Sequence, residues 1–130
     1  MFGSTPAVSS FSVDDLDAAQ RFYGETLGLA VEQTEMGTLT VRFGGGSEGF
    51  IYPKPDHQPA GFTVLNFVVD DVEPAVDELN ARGVVTKIYG DEVADMQNDE
   101  KGIVRDEDGR GFIAWFHDPA GNVLAVLRAG

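Results

Sequence analysis

His57 and His117 are the only imidazoles among 130 residues, and no cysteine accompanies them. Imidazole is the side chain best suited to general-base work near neutral pH, so metal-free proton chemistry would begin from one of these two. His57 lies in Pro53-Lys-Pro-Asp-His-Gln-Pro-Ala-Gly61, a proline-rich run that reads as a linker, and is expected at the surface. His117 precedes Asp118, which suggests a dyad. Asp118, however, opens Asp-Pro-Ala-Gly and is expected to accept the N–H groups of that turn instead. Neither histidine has a nucleophile and an orienting group at a recognisable spacing, so no catalytic residue is assigned. Without cysteine, thiolate, disulfide and Cys-ligated zinc or iron–sulfur chemistry is closed.

Nine Lys and Arg against 22 Asp and Glu leave a formal charge of −13. That field repels phosphate backbones and anionic lipid, so neither nucleic acid nor a membrane surface is an expected partner, while a cationic ligand is favoured. Eight acids and two bases fall within residues 91–108, a long segment without periodicity that reads as either a lid over a site or a solvated excursion. A hydrophobic content of 42% with nine Phe argues for a folded body, and the length suits one domain over residues 1–130. No run approaches the roughly 18 apolar residues of a membrane span. Because MFGSTPAVSS lacks the basic start and apolar block of a signal peptide, a cytoplasmic protein is expected.

The elements that would position any site emerge from an internal repeat. Val8-Ser-Ser-Phe-Ser-Val-Asp-Asp-Leu-Asp-Ala-Ala19 aligns with Val64-Leu-Asn-Phe-Val-Val-Asp-Asp-Val-Glu-Pro-Ala75, with identities that include Phe11/Phe67 and both Asp pairs. Each copy reads as a strand stopping at an Asp whose carboxylate caps a helix. Leu16, Ala19, Phe22, Tyr23 and Leu27 share one face of the first helix, and Val72, Ala75, Val76 and Leu79 one face of the second. Gly28 and Gly83 close them. Strand-like runs follow at Ala30–Gln33, Thr38–Phe43 and Gly49–Pro53, then at Val85–Tyr89, Gly111–His117 and Asn122–Leu127. Each half is β-α-β-β-β, with module 1 over about 7–53, a linker at 54–61 and module 2 over about 62–128.

Strand-Val-Asp-Asp-Leu-helix, its second copy with Arg82-Gly83-Val84, and Phe116-His-Asp-Pro-Ala-Gly-Asn122 resemble the vicinal oxygen chelate superfamily of glyoxalase I, bleomycin-resistance proteins and extradiol dioxygenases. The resemblance implies an α+β fold in which two tandem βαβββ modules form an incomplete barrel with a concave ligand-binding face and the helices outside. It also implies a homodimer. Metal-dependent members carry four ligands on that concave face, usually His or Glu, and the matching positions here are Val8, Tyr52, Val64 and Ala125. As a set these side chains cannot bind a divalent cation, so neither a metal nor a cofactor is expected.

Strand alternation then selects the side chains that share the concave face. Val8 brings Ser10 and Ser12; Val64 brings Asn66 and Val68; Ala125 brings Val123 and Leu127. On the penultimate strand either Trp115 with His117 or Ala114 with Phe116 faces inward. Family resemblance favours the first pair. The expected ligand-binding residues are therefore Ser10, Tyr52, Val64, Asn66, Trp115, His117 and Ala125. The resulting reading is a metal-free small-molecule binding protein of the glyoxalase/bleomycin-resistance type that sequesters an amphipathic, cationic or aromatic compound. The alternatives are a lyase, isomerase or dioxygenase-like enzyme working without the usual ligands, or a protein-interaction module with a plugged cup.

Overall fold

Alternating β-branched and aromatic residues make the strands, and an Asp at the end of the first strand of each repeat starts a helix. The computed structural model describes residues 1–129 and divides the chain into two units, one ending at Pro59 and the other beginning at Ala60. The division falls inside the expected linker.

In the first unit β1 (Ser9–Val13) leads to α1 (Leu16–Gln20), a π segment (Arg21–Thr26), β2 (Ala30–Gln33), β3 (Leu39–Arg42) and β4 (Glu48–Pro53). The Asp15 carboxylate accepts the Ala18 N–H at 3.1 Å, so the cap is formed as expected. Beyond Gln20 the helix widens, and Leu27 N–H donates to the Phe22 carbonyl five residues back at 2.9 Å. The sheet runs β1-β4-β3-β2, with β1 parallel to β4 and the other pairs antiparallel. Val13, Leu39, Val41 and Ile51 are buried on one face with Ala19 and Tyr23 of the helical stretch. Tyr23 also meets Phe11 and Phe22, with ring centroids 5.9 and 5.2 Å apart.

The second unit repeats the plan with β5 (Thr63–Val69), α2 (Val72–Ala81), a small hairpin of β6 (Glu92–Val93) and β7 (Met96–Gln97), then β8 (Val104–Arg105), β9 (Gly111–His117) and β10 (Val123–Arg128). Asp71 caps α2 through the Glu73 N–H. The order β5-β10-β9-β8 mirrors the first sheet, again with its first and last strands parallel. Leu124, Val126, Ala114 and Phe116 are buried toward α2, which contributes Val72, Val76 and Leu79. The architecture is α+β: two βαβββ modules, each an open four-stranded sheet with its helix on one face.

Two sequence expectations are corrected in this unit. Val85–Tyr89 joins no ladder; the fourth strand of the sheet is the two-residue β8 instead. A side-chain bond replaces the ladder there, because Thr86 Oγ1 donates to the Lys101 carbonyl at 2.7 Å and accepts from Asn80 Nδ2 at 3.0 Å. Residues 91–108 are also not an unstructured loop. They contain the β6–β7 hairpin and β8, and Lys101 and Arg105 tie them to Glu73 and Asp77 of α2 at 2.8–3.1 Å. No helix among the described residues is long and apolar enough to cross a membrane.

Candidate functional site: the open sheet faces

Each sheet buries one face against its helix, and period-two alternation puts the next set of side chains on the other. In the first unit that open face carries Ser10 and Ser12 from β1, Phe50 and Tyr52 from β4, and Thr40 from β3. Ser10 stands opposite Phe50, Ser12 opposite Tyr52, and Thr40 opposite Phe50. The Phe50 and Tyr52 rings lie 6.3 Å apart. Val8, just ahead of β1, is exposed.

His57 departs from its expected place at the free surface. The chain turns after β4, with Lys54 N–H donating to the Val13 carbonyl at 2.9 Å and His57 N–H to the Lys54 carbonyl at 3.0 Å. This turn brings the half-buried imidazole back to β1, where Nδ1 is hydrogen-bonded to Ser12 Oγ at 2.7 Å. Lys54 Nζ and Asp56 pair across the turn, and the hydrogen bond from Lys54 holds the Asp56 carboxyl below its usual range. Nothing local in the sequence connects Ser12 with a residue 45 positions later.

On the second sheet, Ala125 of the central β10 lies between Asn66 of β5 and Trp115 of β9. Leu127 lies between Val68 and Ile113, and Val123 pairs with His117. The β5 register jumps from Thr63 to Leu65, so Val64 is the extra residue of a bulge. Ala125 is fully buried beneath its neighbours, Trp115 is half-buried, and Asn66 and His117 are exposed. Tyr89, unforeseen as a site residue, packs edge-on against Trp115 with centroids 5.6 Å apart. Ser10 with Tyr52 in one unit, and Asn66, Ala125, Trp115 and His117 in the other, thus share the open face of their own sheet.

His117 and Asp118 form no dyad. Asp118 is buried and accepts from Ala120 N–H and Asn122 N–H at 2.9 Å each, while its second oxygen accepts from Asn122 Nδ2 at 3.0 Å. Both carboxylate oxygens are engaged by its own turn. The four positions matching family metal ligands offer one phenol and three aliphatic side chains, a donor set that does not fit a divalent cation. Among the described residues no group of three His, Cys, Asp or Glu side chains is arranged to hold a metal ion.

Strong electrostatics lie on the helix side of the second sheet. Hydrogen bonds from Arg105 and then Lys101 pull the Glu73 carboxyl down to about 2, and bonds to Asp77 and Glu73 push the Lys101 ammonium up. Lys101 and Arg105 of the acidic segment are thus bonded to α2. A groove of about 320 Å³ beside Arg21, Glu25 and Val31 in the first unit contains neither imidazole nor hydroxyl groups.

The model of the Glyoxalase/Bleomycin resistance protein/Dioxygenase superfamily matches residues 7–126. Against the curated proteins, no sequence match is found. Among solved structures, a superfamily member from Sphaerobacter thermophilus is 23% identical with a TM-score of 0.64, covering 95% of this chain and 98% of that one. TnmS3, an antibiotic binding protein from Streptomyces sp. CB03234, is 24% identical with a TM-score of 0.63 over 98% of both chains. A glyoxalase/dioxygenase from Nostoc punctiforme is 15% identical with a TM-score of 0.64, covering 98% of this chain and 94% of that one. With its two βαβββ modules and a family match over nearly its whole length, this chain belongs to the Glyoxalase/Bleomycin resistance protein/Dioxygenase superfamily.

Proposed function

We propose that this protein binds a small amphipathic molecule, cationic or aromatic, and does so without the metal used by other members of its superfamily. The observation that carries the reading is the chemistry of the open faces: the positions matching family ligands are Val8, Tyr52, Val64 and Ala125, and aromatic rings stand beside two of them. Tyr52 lies against Phe50, and Ala125 beside Trp115 with its partner Tyr89. Apolar walls with a few polar groups, Ser10 on the first open face and Asn66 with His117 on the second, are the usual lining of small-molecule sites. The −13 charge would concentrate cations near them. The fold is also that of TnmS3, a protein described as binding an antibiotic. The working form we propose is a homodimer, as the family resemblance implies.

Trp115 is the only tryptophan, so its fluorescence reports directly on the second open face. Cationic aromatic dyes should quench it and raise Tm by mass action, with both responses reduced in Trp115→Ala. If no dye does either, the binding reading fails; if anionic dyes act equally, the cation preference fails. Elemental analysis finding about one transition metal per chain in untagged protein would overturn the metal-free reading.

A further inference from the structure

One pair of side chains outside the family's ligand positions has the geometry of a nucleophile and its base. We propose that Ser12 is an acyl-accepting nucleophile and His57 its general base, giving the first unit a metal-free esterase activity toward small aryl esters. Ser12 Oγ and His57 Nδ1 are 2.7 Å apart, inside the 2.6–3.2 Å reach that proton transfer requires.

Both groups have rigid support. Ser12 lies in β1, in register with Tyr52 of β4. The turn carrying His57 is pinned to the end of β1 by the Lys54 N–H to Val13 carbonyl bond and closed by the His57 N–H to Lys54 carbonyl bond. Beside the nucleophile, Ser10 and Tyr52 place two further hydroxyls on the same face, the donor type that stabilises a developing oxyanion. Phe50, opposite Ser10, supplies an apolar surface for an aryl group.

In the tautomer protonated at Nε2, the Ser12 hydroxyl donates to Nδ1. Attack on the ester carbonyl forms the Oγ–C bond as that proton passes to His57. Collapse of the tetrahedral intermediate breaks the bond to the leaving phenol, which takes the proton back from the imidazolium. Water then repeats the sequence on the acyl-serine, releasing the carboxylic acid and restoring Ser12.

The test is intact-mass analysis after treatment with an alkyl fluorophosphonate, with p-nitrophenyl acetate turnover in parallel. One adduct per chain is expected, retained in Ser4→Ala at the exposed N-terminus, absent in Ser12→Ala, and formed about 100-fold more slowly in His57→Gln. Circular dichroism and Tm establish that each variant is folded. No adduct on the folded parent protein overturns the proposal, as does an unchanged rate in Ser12→Ala or His57→Gln. Ser12→Cys gives a second reading: iodoacetamide should alkylate it faster than the Ser12→Cys/His57→Gln double variant, and equal rates overturn the base assignment. Dye binding at Trp115 is read separately, so esterase and binding proposals fail independently.

Discussion

The two modules share a topology and a helix cap but solve the far edge of their sheets differently. In the first, residues 30–33 form a regular four-residue edge strand directly after the helix. In the second, the corresponding stretch leaves the ladder, an acidic hairpin intervenes, and two residues of β8 complete the sheet. The backbone plan therefore depends on the central strands and their buried face. The edge is free to exchange ladder bonds for side-chain bonds and ion pairs. Their open faces have diverged as well, toward hydroxyls and His57 in one and toward Trp115, Tyr89 and His117 in the other.

The sharpest way to break this comparison is at Gly102, which has no counterpart in the first module. Its φ is +79°, and an added Cβ would lie 1.9 Å from the Thr86 carbonyl oxygen. Gly102→Ala should cost about 3 kcal/mol or more in urea unfolding, from left-handed strain plus forced separation of the strand substitute. Next comes the turn before the last strand. Asp118→Ala should cost about 2–3 kcal/mol, since it leaves Asn122 and two turn N–H groups without their acceptor. The equivalent turn of the first module relies on Gly45 and Gly46 at positive φ and contains no buried carboxylate.

The two histidines sharpen the contrast at lower energy. His57→Gln should lose about 1 kcal/mol with its bond to Ser12, whereas His117→Gln at an exposed position should stay within about 0.5 kcal/mol. The smallest effect belongs to the Glu73 clamp. Its carboxyl falls from an ordinary 4.5 to about 2, so its contribution is complete above pH 4.5 and disappears as pH falls toward 2. Glu73→Gln should flatten the stability–pH profile in that window, and added salt should shrink the difference, because the pairs are solvent-accessible.

Periodicity and repetition made most of the fold legible. Period two sorts β9 into Trp115 with His117 and Ala114 with Phe116 but does not say which pair is buried; family resemblance made that choice, and the structure buries Ala114 and Phe116. The Asp caps and Asp118 turn were readable because their chemistry is local. Val85–Tyr89 misled because β-branched composition promises a strand only where a neighbour offers ladder partners. His57 was misplaced for the opposite reason: its partner lies 45 residues away, and proline-rich composition reports the absence of regular structure without indicating where the chain turns.

The π segment records a difference in length between the two copies. From the Asp15 cap to Gly28 is thirteen residues, whereas from the Asp71 cap to Gly83 is twelve. An i→i+5 turn accommodates one more residue than an i→i+4 turn. The bond from Leu27 to Phe22 thus takes up the additional position, letting both copies end in a left-handed glycine while Tyr23 remains in the core. The first copy's one extra residue is wound into the helix at Arg21–Thr26.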